Sequence, residues 1–429
     1  MASIFPFAAL RYDPERVPLS QVVTQPYDKI TPEMQERYYA DSPYNVVRLI
    51  LRKKDAGDPY EGAAISLAGW RREGVLEADS APAIYPYWQT FRVPGSESTL
   101  ERRGFIAAGQ LEDYAAGVVF RHEQTLSGPK LDRLNLLRAT RAHFGQIFML
   151  YSDPGAAVEA QAAPEGPPII DVADEYGVRH RVWKIADAAR IEAVRRGMAD
   201  KKLIIADGHH RYETALAYRN ERRRAAGKTA DASAPFERAM KTFVNMESPG
   251  LQVLPTHRVV HGVGRFEEGA LAEACRSFFA VRDVGARFDP RDPTALLPAA
   301  RPGETAMLAV TRRHVFLLRA EAGTEHPALA GMSRRQAELD VVRLHKVVLE
   351  SVLGLSEQSI REQRNILYLR DAREAVERVR GGGADAAFLI NPVSMRQVRD
   401  LAFAGEVLPQ KSTDFYPKLL SGLTIYVLE

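Results

Sequence analysis

Cysteine is almost absent from this chain: Cys275 is the single thiol among 429 residues. One thiol excludes an internal disulfide and a cysteine-based metal cluster, and it fits a reducing compartment. Long apolar runs are missing as well, since no uninterrupted apolar stretch reaches the ~20 residues that a membrane helix requires. The N-terminus also lacks the basic and apolar regions of a secretory signal. We therefore expect a cytoplasmic protein that has no membrane partner.

A strong excess of charge is missing too. The 58 lysine and arginine residues nearly balance the 55 acidic ones, which leaves a formal net charge of +3. Non-specific nucleic-acid binding needs a concentrated basic face, so we expect no nucleic-acid partner. The chain is long enough for two or three structural units of about 150 residues each. We expect two domains: residues 1–245, and a second α/β lobe, residues 246–429, that completes the site of the first.

Strand-like and helix-like segments alternate along the chain. Apolar patterns predict strands at residues 45–51, 83–91, 103–109, 201–206, 387–390 and 423–428, and a hairpin at residues 304–319. Helical spacing covers residues 131–144, 211–224 and 339–353. Pro86 interrupts the second strand and suggests an edge position or a bulge. Mixed strands and helices predict an α+β fold with mixed sheets.

One loop concentrates the chemistry of the chain: Asp207-Gly208-His209-His210-Arg211, between a predicted strand and a predicted helix. The first turn of a helix presents unpaired N–H groups and the positive end of the helix dipole, so phosphates bind there. Gly208 lets the backbone approach a ligand, Arg211 offers a bidentate phosphate donor, and the two histidines titrate near neutral pH. The loop therefore predicts a phosphate site.

Two other interpretations of this loop stay open. In the first, Asp207 caps the helix and the histidines face solvent. In the second, histidine and carboxylate side chains ligate zinc or a similar ion. Adjacent histidines point in different directions from a loop, and the sequence contains no His-Glu-x-x-His spacing. We therefore prefer the phosphate interpretation and assign no metal ligands.

Further polar clusters are spread over the chain. His122 and Glu123 precede a loop, where Glu123 offers a general base and His122 an acid or a base, and Asp28 offers a carboxylate in a turn. The Lys-Ser-Thr run near residue 412 lacks the glycine pattern of a P-loop, which excludes that motif. Each cluster alone also fits surface charges, a strand cap or an ordinary turn. The remaining phosphate-binding candidates are Lys130, Arg133, His257, Arg258, Lys411, Ser412, Thr413 and Lys418.

The segment Asp-Gly-His-His-Arg-Tyr-Glu-Thr-Ala, residues 207–215, resembles the signature of a large bacterial and archaeal family known only as a domain of unknown function. Other segments resemble motifs of the same family in the expected order. These are Pro26-Tyr27-Asp28, His122-Glu123 with Thr125, Pro129-Lys130 with Asp132-Arg133, Pro255-Thr256-His257-Arg258, and Lys411-Ser412-Thr413 with Tyr416-Pro417-Lys418. The chain is therefore identified as a member of that family.

Residues 205–215 also resemble the phosphate-binding loop of the ParB and sulfiredoxin superfamily, which includes DNA-bound nucleotide triphosphatases, sulfiredoxins and kinases that phosphorylate free serine. The resemblance implies a ParB/sulfiredoxin-like core in which Gly208, His210 and Arg211 contact phosphate. Sulfiredoxin chemistry uses a cysteine in this loop, where this chain has histidine. The DNA-binding members add a helix-turn-helix and a basic face, which this sequence does not show. The small-molecule phosphotransfer branch is the nearest analogue.

These observations predict a phosphoryl-transfer enzyme that acts on a small hydroxyl metabolite, with serine or phosphoserine favoured and the direction, kinase or phosphatase, left open. The predicted ligand is a small phosphorylated molecule, and the predicted cofactors are a nucleotide, ADP or ATP, and Mg²⁺. Alternatives are a nucleotide-binding regulatory protein without turnover and a metal-dependent hydrolase. The candidate catalytic residues are Glu123, His122, His209, His210 and Asp28. We expect the separated motifs to converge on the loop.

Overall fold

A computed structural model of the chain describes residues 2–53, 57–123, 128–227, 231–299 and 301–428. The chain forms two compact units. Unit 1 comprises Met1–Arg121, Thr125–Gln252 and Phe415–Glu429, and unit 2 comprises His122–Gln124 and Val253–Asp414. The predicted boundary between residues 245 and 246 stays a prediction. The compact units differ from it in assigning residues 246–252 and 415–429 to unit 1 and residues 122–124 to unit 2.

Helices and several separate sheets alternate along the described residues, so the predicted α+β fold class is confirmed. The strands are β1 (Ile4–Phe5), β2 (Leu10–Tyr12), β3 (Leu76–Ala78), β4 (Tyr85–Arg92), β5 (Thr99–Gln110), β6 (Val119–Phe120), β7 (Ala142–His143), β8 (Ile147–Tyr151), β9 (Ile170–Ala173), β10 (Arg179–Val182), β11 (Leu203–Asp207), β12 (Arg238–Asn245), β13 (Gln252–Leu254), β14 (His257–Val260), β15 (Ala280–Asp283), β16 (Thr305–Val310), β17 (Val315–Ala320), β18 (Ile366–Leu369), β19 (Ala386–Ile390), β20 (Asp414–Tyr416) and β21 (Tyr426–Val427).

The α-helices are α1 (Pro32–Asp41), α2 (Val47–Ile50), α3 (Pro59–Arg72), α4 (Gly128–Thr140), α5 (Ala157–Gln161), α6 (Ala188–Met198), α7 (His209–Ala226), α8 (Glu268–Cys275), α9 (Arg334–Ala337), α10 (Asp340–Arg343), α11 (Glu357–Arg361), α12 (Ala372–Arg380) and α13 (Met395–Phe403). A π-helical segment, Leu344–Val352, follows α10. Among the described residues, no helix is long and apolar enough to cross a membrane.

Unit 1 is built on a nine-stranded mixed sheet in the order β6-β11-β8-β12-β5-β4-β10-β9, with β1 paired to β5. Parallel pairing of β12 with β8 and of β11 with β6 interrupts otherwise antiparallel neighbours. Strands β8 and β12 lie in the middle of the sheet and bury nearly every side chain, which explains the continuous apolar sequence of β8. This central position fixes β11, the strand that leads into the predicted phosphate loop.

Two apolar clusters hold unit 1 together. One packs sheet residues such as Phe105 and Phe243 against α6 and against Tyr212 of α7. The other joins Trp70 of α3 to β2, β3 and the apolar residues around Phe144. Side-chain caps set the starts of several helices: Thr31 accepts a hydrogen bond at α1, and Asp187 at α6. The loop before α7 therefore sits on a packed scaffold.

One lysine in the sheet of unit 1 is fully buried. Lys241 lies in β12, where its Nζ donates a hydrogen bond of 2.7 Å to the carbonyl of Gln110. The ammonium also lies 5.1 Å from the ring centre of Tyr212. Burial lowers the pKa of Lys241 to about 7. A charge at this position is therefore costly to the fold, because a carbonyl, an aromatic face and the charge of Glu112 offset the loss of water only in part.

Unit 2 is built on a six-stranded sheet in the order β15-β17-β16-β19-β14-β18, in which the paired strands are antiparallel. Helix α12 packs its buried face, Ala375, Val376 and Val379, into the apolar cluster on this sheet. The hairpin predicted at residues 304–319 is confirmed as β16 and β17, and the strand predicted at residues 387–390 is confirmed as β19.

Two local predictions are wrong. Residues 45–51 contain helix α2 instead of a buried strand, because the Asn45 side chain accepts a hydrogen bond of 2.9 Å from the Val47 amide and starts a helical turn. Pro86 does not mark an edge strand, since β4 lies between β5 and β10. The ladder between β4 and β10 ends at Tyr87, so no ladder hydrogen bond to β10 requires an amide hydrogen at Pro86. The Pro86 carbonyl still accepts a hydrogen bond from the Trp183 amide.

Candidate functional site

The predicted loop joins the end of β11 to the start of α7. Gly208 is the N-cap residue and adopts a left-handed conformation with φ of 91°, and no side chain caps the helix. A Cβ atom at Gly208 would lie 3.0 Å from Nε of Arg211. Glycine is therefore needed at residue 208 because the backbone is left-handed there and because the Arg211 side chain packs against the space that a Cβ atom would occupy. The strand-loop-helix prediction is confirmed, and the alternative with Asp207 as the cap is wrong.

Asp207 holds two cations at this helix start. Its Oδ2 atom lies 2.9 Å from Nη2 of Arg211, and its Oδ1 atom lies 3.9 Å from Nζ of Lys418. Burial alone would raise the pKa of the Asp207 carboxyl, but Lys418, Arg211 and Lys29 outweigh burial and lower it below its usual range. Arg211 also donates to the carbonyl of Gln146. The carboxylate therefore stays ionised and fixes two cations near the first turn of α7.

A buried clamp behind Lys418 fixes its backbone. Arg102, which is 1% exposed, donates hydrogen bonds of 3.2 Å to the Tyr416 carbonyl and 2.6 Å to the Pro417 carbonyl. Gln89, paired with Arg102 across β4 and β5, donates a hydrogen bond of 2.8 Å to the Lys418 carbonyl. Burial lowers the pKa of Arg102 to about 10. The sheet of unit 1 thus positions the lysine next to Asp207.

The clamp continues through a buried histidine. His180 Nδ1 is hydrogen bonded to Tyr87 at 2.6 Å and to the Gln89 amide nitrogen at 3.3 Å, so Nδ1 is the acceptor and Nε2 donates to Asp174 at 3.2 Å. Burial lowers the pKa of His180. Sequence reasoning missed this network. Its signal is the presence of polar residues such as Gln89 and Arg102 at inward-facing positions of apolar strands.

Lys130, on α4, is already paired within unit 1. Its ammonium forms an ion pair with Glu213 of α7, which also lies 3.9 Å from Nη1 of Arg121. Asp28 belongs to a short 3₁₀ turn, Tyr27–Lys29, and is exposed. Both predicted roles, phosphate binding by Lys130 and catalysis by Asp28, stay predictions. Any anion that binds Lys130 must therefore compete with the Glu213 carboxylate, which lies on α7, the helix that follows the predicted loop.

Arg133 lies on the same helix as Lys130. Its guanidinium forms hydrogen bonds with Asp132 and, at 2.5 Å, with the Ile50 carbonyl, and it stacks 4.4 Å from the ring centre of Tyr27. Burial and Asp28 raise the pKa of Tyr27, whereas the charges of Arg211 and Arg133 oppose this rise. Tyr27 therefore lies close enough to Arg211 and Arg133 for their charges to act on its hydroxyl group.

A second group of candidate residues lies within unit 2. Glu123 Oε1 accepts hydrogen bonds from the Ser412 and Thr413 amides at 3.0 and 3.3 Å, and from the Thr413 hydroxyl at 3.2 Å. His122 is buried, and its Nε2 is 2.7 Å from the Thr413 hydroxyl oxygen. The pair predicted for acid–base chemistry thus anchors the Ser412–Thr413 turn.

Arg258 and His257 follow one another in β14 and are both buried. Arg258 donates to His345 Nε2 at 3.3 Å and to the Lys411 carbonyl at 3.2 Å. His257 Nδ1 accepts from the Ile390 amide at 3.3 Å. Burial, reinforced by Arg258, lowers the pKa of His257 to about 4, so this imidazole is neutral at pH 7.

The candidates therefore fall into one group in each unit. Unit 1 brings together Asp207, Arg211 and Lys418, and unit 2 brings together His122, Glu123, Ser412 and Thr413. The phosphate-binding roles of the unit 2 residues and the convergence of both groups stay predictions. Thr125 lies outside the described residues. Within the ranges that the structure describes, no group of three or more His, Cys, Asp or Glu side chains is placed to hold a metal ion.

Comparison with known proteins supports the predicted membership in an uncharacterised family. Residues 4–342 match the family described as a protein of unknown function, DUF1015. A comparison with curated proteins gives no match.

Several solved structures are weakly similar. A conserved hypothetical protein from Pyrococcus furiosus is 13% identical with a TM-score of 0.34, over 70% of this chain and 90% of its own. A free serine kinase in complex with AMP is 14% identical with a TM-score of 0.35, over 71% and 88%. SbnI from Staphylococcus aureus, truncated at its C-terminus, is 12% identical with a TM-score of 0.34, over 75% and 87%. At these scores the alignments carry no functional conclusion.

Proposed function

Since the chain belongs to the DUF1015 family, whose function is unknown, we propose its activity from the start of α7: phosphoryl transfer to or from a small hydroxyl metabolite. The observation that carries the proposal is the arrangement of Arg211 and Lys418 around the ionised Asp207, beside a helix start that no side chain caps. Phosphoryl transfer depends mainly on positioning and charge neutralisation, and this arrangement supplies both.

The phosphate group would bind at the first turn of α7. Backbone N–H groups and the helix dipole favour an anion there. Arg211 offers a charged N–H donor, and Lys418 adds a point charge on a backbone that Arg102 and Gln89 hold in place. Asp207 keeps both cations oriented before the ligand arrives, which lowers the entropic cost of binding.

Proton transfer needs a group near the hydroxyl of the metabolite. Within unit 1 we propose Asp28 as the base in the kinase direction, and His209 or His210 as the acid or nucleophile in the phosphatase direction. His122 and Glu123 remain proposed acid–base residues. The preference for serine or phosphoserine comes from the resemblance of residues 205–215 to the phosphate-binding loop of a superfamily that includes free serine kinases.

ADP or ATP is the proposed phosphate donor or acceptor, together with Mg²⁺. Mg²⁺ is usually held by one or two carboxylates plus the phosphate oxygens of the nucleotide, so it needs no dedicated protein cage. Asp207 is a poor candidate ligand, because its oxygens already face Arg211 and Lys418. We therefore expect Mg²⁺ to arrive with the nucleotide.

A regulatory protein that binds nucleotide without turnover is the second candidate. It is favoured by the internal ion pairs of two of the basic candidates: Arg211 with Asp207, and Lys130 with Glu213. An anion that replaced either carboxylate would break a contact on α7 and change the conformation of the helix start. Such an exchange suits a response to ligand as well as catalysis.

The reaction is tested directly with purified protein. Serine is incubated with ADP or ATP, and phosphoserine is incubated alone, each with and without Mg²⁺, and products are followed by phosphorus NMR. We expect phosphoserine formation or phosphate release. Nucleotide binding without either product supports the regulatory protein, and Glu123→Gln then has no turnover to remove. Failure to bind phosphate, nucleotide and phosphoserine alike contradicts both candidates.

Variants test the site itself. Arg211→Ala removes charge-assisted hydrogen bonds worth about 1.5–3 kcal/mol, so we expect phosphate or nucleotide affinity to fall roughly 10- to 150-fold. Arg211→Lys keeps the charge and shows how much the planar fork matters. Arg138→Ala is the matched control, because Arg138 lies on α4 of the same unit and pairs with Glu221 at the surface. Equal affinities for Arg211→Ala and Arg138→Ala contradict the assignment.

A further inference from the structure

A small cavity lies beside Arg211 in unit 1. Its volume is about 70 Å³, and its apolar wall includes Leu136, Leu137 and Phe144. Arg133, Arg211 and Thr214 line the same space. The cavity is partly open to solvent, and it has room for a small polar group beside Arg211 and Thr214.

Gly145 keeps part of this space open. A Cβ atom at residue 145 would lie 3.2 Å from Nη1 of Arg211 and 3.3 Å from Oγ of Ser421. A guanidinium nitrogen and a hydroxyl oxygen thus face the same point, which a methyl group would occupy. The other terminal nitrogen of Arg211, Nη2, bonds Asp207. The arginine therefore has one terminal nitrogen at the Asp207 carboxylate and the other, which also donates to the Gln146 carbonyl, beside the cavity.

Thr214 supplies an independent indication of a ligand. It is 4% exposed, and its hydroxyl has no hydrogen-bond partner among the residues that the structure describes. Thr214 follows Arg211 by three residues on α7, so both side chains lie on one face of the helix. A buried hydroxyl without a partner costs free energy, and a polar ligand group in the cavity removes that cost.

We propose that this cavity binds the carboxylate of a small organic acid. Arg133 and Arg211 provide the positive charge, the Thr214 hydroxyl provides a neutral donor, and the leucine side chains contact the aliphatic part. The inference rests on the proposed function and deepens it: the metabolite that receives or loses the phosphoryl group is a small hydroxy acid or amino acid. Its carboxylate occupies the cavity, and the phosphate occupies the helix start.

The two sites are separated by binding measurements on the full chain. Calorimetric titrations use lactate, glycolate and serine as acid probes, and inorganic phosphate as the anion probe. We expect wild-type protein to bind at least one acid, and Gly145→Ala to weaken that binding by tenfold or more. Thr214→Val, which keeps the shape of the side chain, should weaken acid binding by roughly 2- to 13-fold while leaving phosphate affinity within about twofold.

Thr214→Ser is the matched control, because it retains the hydroxyl and should bind the acids like wild type. If Gly145→Ala does not fold, the Thr214 pair decides the question. Acid binding that is absent in wild type, or equal in Thr214→Val and Thr214→Ser, overturns the cavity assignment while phosphate binding still supports the proposed function. Loss of phosphate binding in wild type together with intact acid binding contradicts the proposed function and leaves the cavity assigned.

Discussion

Replacement of Lys241 by methionine should stabilise unit 1, by an amount that depends on pH. Lys241 is buried in β12 and donates to a single carbonyl, and its pKa is about 7 in the folded chain. Holding a lysine at this pKa in place of its ordinary value near 10.4 costs on the order of 5 kcal/mol below pH 7, at about 1.4 kcal/mol per pKa unit. Methionine has a similar length and removes that cost.

The sign of the pH dependence follows from proton binding. Between about pH 7 and pH 10 the unfolded chain keeps the lysine proton and the folded chain does not. The contribution of Lys241 to the free energy of unfolding therefore rises with pH in this window and is constant below it. The advantage of Lys241→Met is largest at or below pH 7 and shrinks steadily toward pH 10.

Tryptophan fluorescence during urea unfolding measures this difference selectively, because Trp70, Trp88 and Trp183 all lie in unit 1. Wild type and Lys241→Met are compared at pH 6.5, 8 and 9.5, and Lys202→Met serves as an exposed-lysine control. A difference between Lys241→Met and wild type that stays constant across the three pH values would refute the assignment of a neutral buried amine.

Three further predictions concern other parts of the chain. Gln89→Leu and Lys418→Met should each weaken phosphate binding. The double variant should lose about 0.5–3 kcal/mol less binding free energy than the two single variants lose together. Additive losses would show that Gln89 does not act through Lys418. Glu237→Gln should lower the stability of unit 1 by about 1–3 kcal/mol, because the buried carboxylate accepts two hydrogen bonds from Arg223. Tryptophan fluorescence during urea unfolding measures this loss, and an unchanged unfolding midpoint contradicts it. Burial raises the pKa of Cys275 to about 12, so a disulfide reagent at pH 8 should modify it only in denatured protein, and rapid reaction of native protein contradicts its burial.

The sequence was most informative where a single segment determines the structure. A short apolar run, a glycine and a helical pattern occur together around residue 207, and the structure has a strand, a left-handed Gly208 and helix α7 there. The run at residues 45–51 was predicted wrongly because a short apolar segment that is buried all round fits a helix or a strand equally well. The decisive hydrogen bond, from the Val47 amide to the Asn45 side chain, is a detail of local geometry.

The charged site could be predicted only in part, because its geometry depends on pairings between distant segments. The pairing of Gln89 with Arg102 requires the register of β4 and β5, and their contact with the backbone near Lys418 joins the middle of the sheet to a segment that follows unit 2. Composition and spacing identified Lys418 as a cation. Its neighbour Asp207 could be identified only once the fold was known.

The return of residues 415–429 to unit 1 has a consequence for synthesis on the ribosome. Helix α7 and its loop emerge well before unit 2, whereas Lys418 and Ser421 emerge only after it. Until then Asp207 has Arg211 without its second cation, and the cavity lacks one of its hydroxyl groups. A chain that stops before Lys418 therefore carries the signature sequence without the full set of side chains that lie around Asp207 and the cavity.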